Sequence, residues 1–284
     1  MSTRAALVTG ASSGIGRATA LELARSGFTV FAGVRKPEDG ESVQSEAHGE
    51  LEPVLIDVTD ESQIEAAAET IRERTRGRGL TALVNNAGSA HTGAIEFLDL
   101  DSLRHQLDVN LIGHIAVTQK MLPMLRSNKG RIANVTSIGG LVATPFMGPY
   151  CASKFALEAV SDCLRSELKP WGIEVIAIEP GSVATDIWDR GIENAQAARD
   201  KLPEDGERLY GRAFETMQRV SAETGERGIP AEEVARVIHK ALTVKRPRAR
   251  YLVGRDAIGM KAASSVLPDK TWDALVRQQL KLPR

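Results

Sequence analysis

Thr9-Gly10-Ala11-Ser12-Ser13-Gly14-Ile15-Gly16 decides the fold of this chain. It follows Ala5-Ala6-Leu7-Val8-Thr9, a buried strand, and opens a helix read from Gly14 to Ser26 and closed by Gly27. Each glycine has a separate physical reason. Gly10 permits a tight turn, Gly14 lets the backbone approach a pyrophosphate, and Gly16 lets helix and strand pack closely. The helix N-terminus then offers free N–H groups and a partial positive charge to an anion. A glycine-rich turn alone is common. Placed between strand and helix at the start of a βαβ unit, it points to a dinucleotide crevice.

Outward from this turn, short β-branched runs alternate with helical stretches. Strands are expected at Phe28–Val34, Pro53–Asp57, up to Asn85, Arg131–Val135 and Glu174–Ile178. Helices are expected near Ser62–Arg74, Asp101–Arg126 (interrupted by Gly113 and Pro123) and Pro149–Leu168. Such alternation implies an α/β fold, a doubly wound parallel sheet of about seven strands with helices on both faces. The stretch 186–228 is charged and helical and reads as a lid over a substrate site. Ala231–Leu242 is an amphipathic helix, Tyr251–Val253 a last strand, and Trp272–Leu280 a terminal helix. With no repeat and no low-complexity linker, residues 1–284 read as one catalytic domain with a helical extension at 255–284.

Composition narrows the function. The 284 residues are 42% hydrophobic and 26% charged with a net charge of −1, which offers nothing for a polyanion such as nucleic acid. Cys151 and Cys163 sit on one expected helix, roughly 18 Å apart at about 1.5 Å per residue, too far for a disulfide. The five histidines show no zinc-ligand spacing, so no metal is expected. Met1–Arg4 carries no basic-then-apolar leader, and no run approaches about 20 apolar residues, so a cytoplasmic setting is the expectation.

A second constellation lies at Tyr150-Cys151-Ala152-Ser153-Lys154, with Ser137 thirteen residues upstream. Helical residues four apart share a face, placing phenol and ammonium side by side. A neighbouring cation favours phenolate and lowers a tyrosine pKa from about 10, giving a general acid and base near neutral pH. Taken singly, Ser137 reads as a cap or turn former, Asn110 as an exposed helix residue and Lys154 as a solvated charge.

Together these motifs resemble the short-chain dehydrogenase/reductase family in its single-domain branch. The matching elements are Thr-Gly-x-x-x-Gly-Ile-Gly at 9–16, Asn85-Asn86-Ala87-Gly88, Asn110, Ser137, Tyr150-x-x-x-Lys154, and Pro180-Gly181 with Thr185. They span residues 5–186. The resemblance implies Tyr150 as the acid/base at the substrate oxygen, with Lys154 lowering its pKa and holding the nicotinamide ribose. It implies Ser137 as a donor to the reacting oxygen, and Asn110 as shaping a kink and holding a water beyond Lys154. By the same resemblance the cofactor meets Thr9, Gly10, Ser12, Ser13, Gly14, Ile15 and Gly16 in the cradle. Asp57 and Val58 are expected at the adenine and Asn86, Ala87 and Gly88 along the adenosine. Pro180, Gly181, Val183 and Thr185 are expected at the carboxamide.

The end of the second strand carries Val34-Arg35-Lys36 and no carboxylate before Glu38. Arginine there accommodates a ribose 2′-phosphate, with Ser12 as a further donor, so NADP(H) is favoured. NAD(H) is the alternative if Arg35 is only a solvated loop charge. Segments 89–93 and 141–148, with Ile187, Trp188 and Ile192, are expected to border an apolar pocket, and Arg190 to solvate the outer face of the lid. His91 reads as a loop histidine without partners. The Tyr150 segment is similar to 17β-hydroxysteroid and retinol dehydrogenases, implying an apolar secondary alcohol or ketone. Reduction of a 3-oxoacyl thioester is the rival within enzymes. A dinucleotide-sensing or scaffold protein is the rival outside them. By similarity, helices 101–126 and 149–168 would form the interface of a homodimer or homotetramer.

Overall fold

The computed structural model describes residues 4–279. In chain order the elements begin β1 (Arg4–Thr9), α1 (Gly14–Arg25), β2 (Phe28–Val34), α2 (Pro37–Ser45), β3 (Leu51–Leu55), α3 (Glu61–Arg74) and β4 (Ala82–Asn85). There follow α4 (Leu100–Leu107), a π-helical turn (Asp108–Ile112), α5 (Gly113–Asn128), β5 (Arg131–Val135), α6 (Gly148–Glu167), β6 (Glu174–Pro180) and β7 (Val183–Ala184). The chain continues through α7 (Ile187–Arg199), α8 (Glu204–Glu226), β8 (Ile229–Pro230), α9 (Ala231–Thr243), β9 (Arg250–Val253), α10 (Arg255–Val266) and α11 (Asp269–Gln279). The expected end of the last helix at Leu280 and the start at Met1–Thr3 lie outside the described residues.

Seven parallel strands form one sheet in the order β3-β2-β1-β4-β5-β6-β9. Strand order reverses between β1 and β4, and in such sheets the crevice beyond the carboxyl ends at that switch point is where ligands bind. Alternation of side chains along each strand fills both faces. Ala6 and Val8 of β1 join Ala20 and Leu23 of α1 and Val234 and Ile238 of α9 in one core. Leu7 packs on the other face with Phe31, Ile64 and Ile71 of α3 and Val117 and Met121 of α5. Each fully buried Leu, Ile or Val contributes roughly 1.5–3 kcal/mol, so a sheet sandwiched in this way is rigid enough to aim side chains at its edge.

One expectation is corrected here. The third strand runs over Leu51–Leu55 and ends before Asp57. It is an edge strand, which is why Pro53 is tolerated within it. Helix α2 was not expected at all. Its sequence, PEDGESVQS, buries only Gly40 and Val43, so it shows no apolar stripe, and its opening Pro37 reads as easily as a turn.

Candidate active site

The cradle is built by hydrogen bonds that tie β1 to β4. The Thr9 hydroxyl accepts from Asn86 N at 2.9 Å and Ala87 N at 3.1 Å. The Asn86 amide donates to the carbonyls of Thr9 (3.0 Å) and Gly10 (3.3 Å). Gly10 and Gly14 have φ of +65° and +53°, the left-handed region that favours glycine. A side chain on Gly16 would collide with the Gly10 carbonyl and the Asn86 amide. Ser13 stands at the N-cap of α1 in extended conformation, yet its side chain makes no capping bond. The first-turn N–H groups of Gly14, Ile15 and Gly16 lack intrahelical partners by helix geometry. Glycines at 10, 14 and 16, uncapped donors and a helix dipole suit an anionic diphosphate.

Around this floor the expected residues divide. Gly14 packs beside Thr185, whose Cγ2 would lie 3.0 Å from a Cβ at Gly14, so cradle and post-β6 segment meet. Gly181 N donates to Val253 O at 2.8 Å, and Val183 is buried. Pro180 closes β6 and pairs in register with Val253. Gly88 lies beside Asn110. Asp57 is a turn former: its Oδ1 accepts from Thr59 N at 2.9 Å and Thr59 Oγ1 at 2.7 Å, while Asp60 caps α3. Val58 is buried and packs on Gly113 at the head of α5. Arg35 is exposed at the end of β2 and makes no hydrogen bond or ion pair among the described residues. Ser12 offers its carbonyl to Arg17 at 3.2 Å, and Arg17 also binds Ser42 (3.0 Å) and Glu46 (2.9 Å), fastening α2 beside the cradle.

At the carboxyl end of β5 the second constellation assembles. Ser137 caps a 3₁₀ turn at Ile138–Gly140, its Oγ accepting from Gly139 N at 3.0 Å. The Tyr150 ring packs against that turn, close to both Gly139 and Ser137 Oγ. Lys154 is buried and donates to Val135 O at 2.9 Å, its Nζ 5.8 Å from the centre of the Tyr150 ring. Asn110 is fully buried in the π-helical turn and cannot be an ordinary exposed residue. Its Oδ1 accepts from Ser89 N at 2.9 Å, and its Nδ2 donates to Ser89 O and Ser153 Oγ, both at 3.0 Å. The extra residue of the π turn interrupts the i to i+4 ladder at this position.

The electrostatics correct one expectation. Burial pushes the Tyr150 phenol above its usual range, and the neighbouring Ser137 hydroxyl only partly offsets this. Burial also brings Lys154 down to about 8, against the pull of Glu158. His114, fully buried with Nε2 2.7 Å from Ala87 O, is depressed to about 3 by burial and by Lys154. It is therefore neutral, and in the tautomer this contact requires it donates to that carbonyl.

Several contributors were not legible beforehand. Asn85 Nδ2 bonds Thr118 and Asn134, both at 2.9 Å, and Asn134 bonds Ser161 at 2.8 Å, a buried polar ladder that fixes α6 on the sheet. Asp256 at the head of α10 accepts from Ser182 N at 2.7 Å and backs the Gly181 segment. Phe146, Tyr210, Phe97 and Phe214 form edge-to-face pairs with centroids 5.5–6.2 Å apart, joining α8 to the loop before Tyr150. Trp188 donates to Val183 O at 2.8 Å and packs on Gly225. Ile192 lines a shallow groove with Gln218 of α8. His91 has partners: its ring lies edge-on to His105 at 5.8 Å and its N–H meets Gln106. Arg190 donates to Ser13 Oγ at 2.9 Å and does not simply solvate the outer face of the lid.

Among the described residues no cluster of His, Cys, Asp or Glu could hold a metal, and no helix is long and apolar enough to cross a membrane. A doubly wound sheet with a glycine cradle at its switch point and a Ser–Tyr–Lys group beside it defines a class of dinucleotide-binding α/β proteins. The family model for short chain dehydrogenase matches residues 4–196. The NADPH-dependent 3-dehydrocapnine reductase of Ornithobacterium rhinotracheale is 35% identical over 283 residues, covering 98% of each chain. Retinol dehydrogenase 5 of Mus musculus is 37% identical over 97% of this chain and 88% of its own. Among solved structures, a short-chain dehydrogenase from Streptomyces avermitilis superposes with a TM-score of 0.77 at 26% identity, covering 99% and 97% of the two chains. Another from Burkholderia cenocepacia, in complex with NADP, gives 0.70 at 26% identity over 99% and 98%. The chain belongs to the short chain dehydrogenase family, and it is an oxidoreductase of that family.

Proposed function

We propose that this protein is an NADP(H)-dependent oxidoreductase interconverting a secondary ketone and alcohol on an apolar substrate. The observation that carries the reading is the meeting of Ser137, Tyr150 and Lys154 beyond β5, at the same carboxyl edge of the parallel sheet as the cradle that opens α1. When bound, the nicotinamide coenzyme supplies the hydride chemistry that no side chain can. The protein's share is the proton. Tyr150 faces the Ser137 turn, so both hydroxyls are placed to bind one carbonyl oxygen, Ser137 orienting it and Tyr150 protonating it. Its raised pKa keeps the phenol loaded with a proton at neutral pH. Lys154 places a positive charge behind the phenol that offsets the phenolate left after transfer. Asn110 holds Ser89 and Ser153 in place and thereby sets the start of α6 against the π turn.

Cofactor contacts are assigned to the cradle from Thr9 to Gly16, to Asp57 and Val58, to Asn86–Gly88, to Tyr150 and Lys154, and to Pro180, Gly181, Val183 and Thr185. NADP(H) is preferred because Arg35 is exposed at the end of β2 with no hydrogen-bond or ion-pair partner among the described residues, which suits its planar fork to a 2′-phosphate. The aromatic cluster around Phe146 supports an apolar substrate, and the similarity to a retinol dehydrogenase agrees with one. The reading treats residues 1–284 as one catalytic unit, with 186–228 as its lid and 255–284 as a helical extension. A homo-oligomer in the cytoplasm completes it.

A panel of apolar ketones and alcohols, each offered with NADPH/NADP+ and NADH/NAD+, tests this reading. Turnover with NADPH is expected to exceed that with NADH. Arg35→Ala should cut kcat/KM for NADPH by about tenfold or more while leaving NADH within about twofold, since a charge-assisted phosphate contact is lost. Equal use of both coenzymes by the unaltered protein would remove the NADP(H) preference. Indifference to both would remove the enzyme.

A further inference from the structure

Helix α7 sits over the crevice. Its side chains reach both sides: Arg190 Nη2 donates to Ser13 Oγ of the cradle at 2.9 Å, and Asn194 Nδ2 donates to Ala90 O, beyond β4, at 3.0 Å. Gly191, between them, has Ala90 as its nearest neighbour. The Trp188 indole anchors the start of the helix to Val183 O. Ser13 is the N-cap of α1, and its hydroxyl meets an arginine in place of its own helix. The guanidinium carries five N–H donors, of which the contacts to Ser13 and to Asp186 Oδ2 (3.4 Å) engage one nitrogen. A cation with unused donors is thus held at the mouth of the anion-binding turn by an element 177 residues away in sequence.

We propose that Arg190 is a diphosphate-binding residue, making α7 a strap that the dinucleotide itself fastens over the crevice. This rests on the dinucleotide-binding reading above and extends it to a residue outside the glycine turn. Recognition is electrostatic: guanidinium and phosphate oxygens pair through parallel charge-assisted hydrogen bonds, while the helix dipole of α1 acts on the same group from below. Since α7 begins the lid, coenzyme bound under Arg190 would order the wall of the substrate site before substrate enters.

The test is a pair of titrations of the full-length protein, with NADPH and with 2′-AMP, which carries the 2′-phosphate but no diphosphate. Arg190→Ala should weaken NADPH binding about tenfold and leave 2′-AMP binding unchanged, with Arg190→Lys restoring part of the loss. NADPH should protect segment 186–228 from proteolysis in the unaltered protein and fail to do so in Arg190→Ala at equal coenzyme concentration. Arg190 is half-exposed, and unchanged melting of the ligand-free variants would verify that the fold is intact. Equal NADPH affinity in the unaltered and Ala proteins would overturn the proposal, as would an equal loss for both ligands, which marks a role in the lid alone. Failure of the unaltered protein to bind NADPH or NADH would instead overturn the dinucleotide reading beneath it.

Discussion

Tyr150→Phe is expected to abolish turnover while sparing coenzyme affinity. The substitution removes one oxygen and nothing of the ring that packs on the Gly139 turn. What is lost is the proton donor, and general acid catalysis contributes on the order of 10²–10⁴ in rate, so kcat should fall about 10³-fold. NADPH affinity should stay within about twofold, because the phenol oxygen is one coenzyme contact among many and the backbone from Thr9 to Gly16 still forms the cradle floor. Steady-state kinetics on an active ketone, together with NADPH titration, read both quantities. A variant that keeps its turnover would place the proton elsewhere. A loss of NADPH affinity matching the loss of rate would make the phenol a binding group only.

Gly16→Ala should cost both stability and coenzyme binding. Its Cβ would overlap the Gly10 carbonyl and the Asn86 amide, so α1 must move off β1 or Asn86 must release Thr9 and Gly10. Backbone gives little, and an overlap of this kind with loss of buried hydrogen bonds is worth about 2–4 kcal/mol. In thermal unfolding that corresponds to a fall of roughly 5–10 °C. NADPH affinity should fall with it, because the first turn of α1 no longer aims its N–H groups. Gly259→Ala is the control: nothing lies within 4 Å of its Cβ position in α10, so better helix propensity should make it neutral or stabilising by up to about 1 kcal/mol. Equal behaviour of the two variants would mean that close strand–helix approach does not build the cradle.

What could be read from the residues, and what could not, divides by range. Thr9–Gly16 announces itself because turn, approach and packing are local demands, each met by glycine. Asn110 was not legible from its own stretch, which reads as an exposed polar helix; only the family resemblance singled it out, and its full burial belongs to the assembled fold. Helix α2 was hidden because Val43 is its one buried apolar side chain, and no stripe can be drawn from one residue. Orientation was hidden more deeply. Which neighbours Trp188 and Ile192 meet, Val183 of β7 and Gln218 of α8, is a matter of helix phase fixed only by tertiary packing. Arg190 and Asp256 act on Ser13 and Ser182 across 177 and 74 residues, and no spacing rule reaches so far. The direction of the phenol's pKa is hidden for a related reason: the Tyr–Lys spacing reveals the cation, whereas the burial of both groups belongs to the assembled fold.

Everything about the reaction depends on the carbon that Tyr150 serves also being the one reduced from the coenzyme. Reduction of an active ketone with NADPH carrying deuterium at C4 of the nicotinamide, in the appropriate epimer, examines this in one product. The expected alcohol is one mass unit heavier, with the label on the carbinol carbon and deuterium absent when the opposite epimer is used. An unlabelled alcohol from both epimers, or product formed without oxidation of the coenzyme, would contradict it.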